Sequence, residues 1–354
     1  MANRTEQEVM KGWKYADPPL VSVVCITYNH EPYIRDAIEG FLMQETDFPF
    51  EIIIHDDAST DGTTGIIREY EANFPNLIKP IYQTENQYSK GEKVSAIAWS
   101  LAKGDYIAFC EGDDFWLNAE KLIRQVSSLR KYPECHICFH SALQISYLNN
   151  RLNVICRHSQ NTKIFPLEEI IKGGGPFCPT SSLLIKRSVL SSIPNWYYSI
   201  APVGDYFLQI FSSVNGGALF LPETMSAYRY LAPTAWSSVR NNQTFENYMS
   251  SFFLRYLVSL ECLDYDLNYM FSDILNIERA KLSCDGAAKA FASKHYGLFN
   301  KLIIQSWNLK PFLRIDQVVF FYFRHTPILI SFLRLTRLFN RRVTTFFSFF
   351  NYFK

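Results

Sequence analysis

The 354-residue chain has no surplus of either charge sign, since 35 Lys and Arg stand against 34 Asp and Glu for a formal net charge of +1. That balance removes the one-sided field that nucleic-acid binding uses. Its eight cysteines show no repeated close spacing, so they read as buried thiols of a reducing compartment and not as a disulfide framework. Cys135, His136, Cys138 and His140 lack a second ligand pair and lie on a strand-like run, which argues against a structural zinc. No stretch of about eighteen uncharged apolar residues is present, which excludes a spanning helix. The start, Met1 to Glu8, is polar and has no apolar leader core, from which a cytoplasmic location is expected. Neither GxGxxG nor the Walker pattern occurs, which argues against dinucleotide oxidoreductases and P-loop enzymes.

What is present is an alternation of short apolar runs with helical ones. Leu20–Ile26, Phe50–His55, Ile78–Tyr82 and Tyr106–Cys110 read as buried strands, being short, apolar and closed by polar turns. Helices are expected over 33–43, 66–74 and 93–102, and from Glu120 through Leu129. Strands alternating with helices of this length imply a parallel sheet with ligands beyond the carboxyl ends of the strands. After His140 the sheet signal turns irregular. Gly173, Gly174 and Gly175 read as a hinge, because no Lys-Ser/Thr follows to make a phosphate cradle. Beyond about residue 247 the pattern is helical, giving two regions, 1–246 and 247–354.

The polar clusters lie at strand ends. Asp56 and Asp57 close the second strand, and Asp113 and Asp114 follow the fourth in the run Glu111-Gly112-Asp113-Asp114-Phe115-Trp116. Asp61 is expected to cap a helix start. Adjacent carboxylates at Asp113 and Asp114 repel each other, and a cap needs only one, so they point to a bound cation. Hard oxygen donors on a short turn suit Mg²⁺ or Mn²⁺, which commonly bridge protein to phosphate oxygens.

Three ordered motifs carry a resemblance over residues 20–235: Val24-Cys25-Ile26-Thr27-Tyr28-Asn29-His30-Glu31, then Ile52 through Thr63, then Glu111 through Trp116. Together they resemble the inverting family 2 glycosyltransferases of bacterial cell-surface polysaccharides. The resemblance implies a GT-A fold, an α/β architecture whose mostly parallel central sheet is flanked by helices, here with a helical C-terminal extension. It also implies a nucleotide-sugar donor, commonly a UDP-sugar, a divalent cation (Mn²⁺ or Mg²⁺) and inversion at the anomeric carbon. Carried over by motif, Thr27, Tyr28, Asn29 and Glu31 belong to the donor site, and Asp57 accepts a hydrogen bond from the base. Asp113 faces the ribose or sugar, and Asp114 holds the metal. Asp205 stands where the family places its base, although Gly204 replaces the acidic residue that often precedes it; it is equally placed to cap a helix. Tyr228-Arg229, followed by Trp236-Ser237-Ser238, resembles a segment that reaches the diphosphate and closes over the donor, and Arg229 also fits a surface ion pair. Trp116 either floors the acceptor site or packs in the core.

Between Pro327 and Phe350 the chain is aromatic and basic, with Arg334, Arg337, Arg341 and Arg342 close to one face of a helix. It fits an amphipathic helix drawn to an anionic membrane surface on the cytoplasmic side, or a helix packed on the catalytic domain or a second subunit of a homo-oligomer. Membrane docking suits an acceptor that is a growing surface glycan, of capsule or lipopolysaccharide type, or a lipid-linked oligosaccharide. Two rivals stand beside this reading: a nucleotidyltransferase, which would need a Gly-rich basic loop not found after the first strand, and a non-catalytic carbohydrate-binding scaffold, which the intact Asp57, Asp113, Asp114 and Asp205 count against.

Overall fold

The computed structural model describes residues 4–147, 151–232 and 244–326. The chain divides into two compact units, Met1–Gln243 and Thr244–Lys354. In the first, β1 (Val21–Thr27), β2 (Phe50–Asp56), β3 (Ile78–Tyr82) and β4 (Tyr106–Phe109) run parallel in the order β3-β2-β1-β4. Every residue of β2 is buried, as are all of β1 but Ile26. Continuous apolar runs are what a strand covered on both faces requires. Helices α1 (Ile34–Leu42) and α2 (Thr63–Asn73) make the crossovers flanking β2. α1 buries Ile34, Ala37, Ile38, Phe41 and Leu42 against the sheet, the i, i+3, i+4 stripe of an amphipathic helix.

Past β4 the sheet becomes mixed, which is why the later sequence pattern loses its regularity. A two-residue strand, β5 (Phe115–Trp116), is followed by β6 (Ile137–Ser146), β7 (Leu152–Ile155), β8 (Lys163–Phe165), β9 (Leu184–Lys186) and β10 (Ala218–Tyr230). β9 pairs antiparallel with β4 and β6, while β10 pairs parallel with β6 and antiparallel with β5 and β8. β10 carries register shifts on either side of Thr224, next to Pro222, which has no N–H for a ladder. The strand continues beyond them to meet β5, with Ser226 opposite Trp116 and Ala227 opposite Phe115. Arg229, two residues further along β10, is thereby delivered to the acidic turn after β4.

Trp116 is a core residue. It is 2% exposed, donates Nε1–H to the Ser181 carbonyl at 3.0 Å and meets Phe41 edge-on. The ammonium of the fully buried Lys121 lies 4.1 Å from its ring centre. A ring enclosed on these sides presents no face to a sugar, so its place as an acceptor floor is withdrawn.

The second unit is helical over its described residues: a π-helical turn at Tyr248–Phe253, then helices Leu254–Asp266, Ser272–Ala292, Tyr296–Leu309 and Ile315–Tyr322. A largely buried Arg279–Asp264 ion pair (2.8 Å) joins the first two of these helices. Gln317 donates to Ser306 Oγ and the Lys310 carbonyl, tying the last helix back to the third. No helix among the described residues is long and apolar enough to cross a membrane. The expectations for Trp236–Ser238 and for the basic aromatic stretch after Pro327 lie outside the described residues.

Candidate active site

After β4 the backbone keeps running beside β1. Cys110 N–H donates to the Val24 carbonyl and Gly112 N–H to the Ile26 carbonyl, while Asp57 N–H reaches the Thr27 carbonyl from the other side. The turns that follow β1, β2 and β4 therefore share one sheet edge. Gly112 is required there, because a Cβ at that position would stand 2.7 Å from Thr27 Oγ1 and 3.0 Å from His30 Nδ1. Both of those buried atoms lack a hydrogen-bond partner among the described residues. Burial holds the His30 imidazole below its ordinary pKa.

Arg229 fastens the acidic turn. Its Nη1 donates to the Asp113 carbonyl at 2.7 Å, its Nη2 pairs with Asp36 on α1, and its guanidinium lies over the rings of Phe115 and Tyr33. Its backbone N–H donates to Asp114 Oδ1 at 2.9 Å. Arg229 is thus neither a surface ion pair nor turned toward a diphosphate, and its donors are spent on holding the turn. Asp114 is likewise committed: it is buried, and burial followed by the neighbouring Asp113 and Glu111 charges pushes its pKa well above the carboxylate range. Asp114 is therefore a buried carboxyl with one oxygen, Oδ1, held by the backbone of β10.

Glu111 is the residue the sequence reading passed over. It is exposed at the mouth of the site, yet its pKa is raised to about 8, by the desolvation its surroundings impose and by the charges of Asp113 and Asp205. That electrostatic contact brings Asp205, more than ninety positions later in the chain by its numbering, to the acidic turn. Asp205 lies in the first turn of the helix Gly204–Ser213, whose N-cap is Val203, and its Oδ1 accepts the Tyr206 N–H at 2.8 Å. The carboxylate is partly exposed. Beside it runs the 173–175 turn, which is packed and not a free hinge: the Phe177 ring fills the space a Cβ on Gly173 would need, Gly174 has φ +69°, and a Cβ on Gly175 would stand 3.8 Å from Asp205 Oδ2.

The remaining expected donor residues mostly tie loops together. Asn29 (φ +55°) accepts the Thr60 N–H on Oδ1 and donates its own N–H to Ser59 Oγ. Glu31 accepts the Gly62 N–H, while its N–H donates to Asp61, which also accepts from Thr63 as a helix start requires. Asn29 and Glu31 therefore staple the loop after β1 to the loop after β2. Asp57 is buried, and its two oxygens accept the backbone N–H groups of Gln87 and Tyr88 at 2.7 and 3.0 Å. It pins the 86–90 loop. Tyr28 is exposed at the same edge, and Thr27 is buried beneath it.

Among the described residues no group of three His, Cys, Asp or Glu is assembled as a metal cage. The donors present nevertheless fit a hard divalent ion that takes most of its ligands from phosphate and water. Glu111 and Asp113 supply oxygens that no basic side chain neutralises by hydrogen bonding among the described residues, and the raised Glu111 pKa records the repulsion a cation relieves.

Residues 22–193 match the family model described as glycosyl transferase family 2. The chain is 36% identical over 218 residues to Rv1520 of Mycobacterium tuberculosis, a stretch that covers 62% of this chain and 61% of that protein's length. It is 38% identical over 102 residues to the Escherichia coli UDP-Glc:alpha-D-GlcNAc-diphosphoundecaprenol beta-1,3-glucosyltransferase WfaP, covering 28% of this chain and 38% of that one. Among solved structures it is similar in fold to the mannosyltransferase PcManGT from Pyrobaculum calidifontis in complex with GDP-Man and Mn²⁺, with a TM-score of 0.51, 16% identity and 93% of each chain covered. The mixed α/β fold with its flanking helices is thus the expected GT-A architecture.

Two outcomes follow from this geometry. Arg229→Met removes a charged donor from the Asp113 carbonyl and is expected to cost about 2 to 3 kcal/mol of stability in denaturant unfolding. Without metal, the folded chain keeps the Glu111 proton up to about pH 8, whereas an unfolded glutamate releases it near about 4.3. Stability therefore falls as pH rises through that window. Thermal melts with and without Mn²⁺ are expected to show a larger stabilisation by the ion at pH 8.5 than at pH 6, where protons compete for the same oxygens.

Proposed function

Since residues 22–193 belong to glycosyl transferase family 2, we propose that this chain transfers a sugar from a nucleotide-sugar, a UDP-sugar in the first instance, to a hydroxyl of a growing surface glycan or lipid-linked oligosaccharide. The observation that carries the proposal is that Glu111, on the turn after β4, feels the charges of both Asp113 and Asp205, the last from an element distant in the chain. The UDP-glucose and diphosphoundecaprenol in the name of WfaP support this donor and acceptor class. Attachment to the inner face of the cell membrane is part of the same reading, since a lipid-linked acceptor is presented there.

Asp113, with Glu111 beside it, is the pair we assign to a Mn²⁺ or Mg²⁺ ion, as the ion bound with GDP-Man in PcManGT supports. When bound, such an ion neutralises charge developing on a departing diphosphate. Asp205 accepts the proton of the attacking hydroxyl. Its carboxylate is partly exposed, it faces the space kept by Gly175, and it stands on the rigid first turn of a helix. Direct displacement from the side opposite the leaving group inverts the anomeric carbon. Asp114, Arg229 and Asp36 hold the acidic turn in register with β1.

Asp205→Asn is expected to lower turnover by about 10²- to 10⁴-fold while nucleotide affinity, measured by titration calorimetry, stays within a small factor of the parent. Turnover retained in that variant would remove Asp205 from the reaction.

A further inference from the structure

We infer that the face of the second unit formed by Trp307, Phe312, Ile315 and Tyr322 is a contact surface that inserts into the headgroup region of an anionic bilayer. The inference deepens the membrane attachment proposed above and rests on that reading.

The face is apolar where solvent should favour polar groups. Phe312 is 70% exposed, Ile315 74% and Tyr322 59%. Phe312 and Tyr322 share one aromatic cluster: Trp307 lies 4.8 Å from Phe312, 5.5 Å from Tyr322 and 4.1 Å, stacked, from Phe321, and Ile315 is three residues from Phe312 in the chain. Single exposed apolar side chains are ordinary, but a contiguous aromatic and aliphatic face marks an interaction surface. Phe312 also sits at the loop between two helices with φ +56°, a conformation unfavourable for a bulky residue. That conformation leaves its ring mostly open to solvent.

Charge identifies the partner. From Lys310 to Lys354 the sequence holds eight Lys and Arg and one acid, Asp316, whereas the 309 residues before it hold 27 basic and 33 acidic residues. A chain close to neutral overall is therefore about +7 over its last 45 residues and −6 over the rest. The apolar face opens this basic region, and the one acid in it is paired with Arg314. Aromatic side chains beside Lys and Arg are the composition of the bilayer interface, where rings lie at headgroup depth and cations meet anionic lipid.

The test uses the full-length chain and sedimentation with vesicles of phosphatidylglycerol or of phosphatidylcholine. Binding to the anionic vesicles is expected, and the double variant Phe312→Ser/Ile315→Ser should weaken it at least tenfold. Leu152→Ser, which alters an exposed residue of the first unit, should leave it unchanged. Quenching of tryptophan fluorescence by brominated anionic lipid should fall in Trp307→Phe, a readout that does not depend on altering the exposed residues. Unchanged partition of the double variant, equal binding to both lipids, or a change of oligomeric state with no change in vesicle binding would each overturn the inference. Nucleotide binding without vesicles is measured alongside: its loss in the parent protein would instead count against the transferase reading.

Discussion

Everything at this sheet edge depends on holding several carboxylates together without letting their repulsion open the turn that carries them. The chain does this with one buried arginine. Arg229 bonds the carbonyl of Asp113, pairs with Asp36 across the gap to α1 and gives its backbone N–H to Asp114. The β5–β10 pairing next to it brings Arg229 into reach, and Trp116, locked to Ser181 and Phe41, fixes that pairing from below. Charge on the side chain is thus spent on architecture, where a low local dielectric makes each such bond count. Of the acids on this turn, Glu111 is exposed while Asp113 is buried.

This division separates two kinds of acidic residue that look alike in a sequence. Asp57 has both oxygens, and Asp114 one, engaged by backbone N–H groups, and such bonds stabilise loops. Glu111 is different: desolvation first, and then the charges of Asp113 and Asp205, raise its pKa to about 8. A group of like charges kept together without an internal counterion is costly to fold, and a functional site is where proteins accept that cost. A divalent cation held there would supply the missing positive charge.

Much of the fold was legible. β1, β2, β3 and β4 are short buried runs closed by polar turns, and a parallel sheet writes that pattern strongly. The same order put Asp57 and Asp113 at one edge, as the register of β1 with β2 and β4 shows. What could not be read were cross-chain commitments. Nothing local says that Asn29 and Glu31 are bonded to the loop after β2, that Arg229 reaches Asp36, or that Trp116 is enclosed, because each depends on a partner tens to nearly two hundred residues away. Glu111 was in view within the same motif, but two adjacent aspartates drew the reading toward Asp114, whose burial only the fold reveals.

The central claim is that Glu111 and Asp113 form the cation-dependent half of a nucleotide-sugar site. Calorimetric titration of UDP into the full-length chain, with Mn²⁺ and again with EDTA, in the parent and in Asp113→Asn, tests it most directly. The account predicts binding by the parent with Mn²⁺ and its loss both with EDTA and in the variant. UDP binding that is unchanged by EDTA and by the substitution would contradict it.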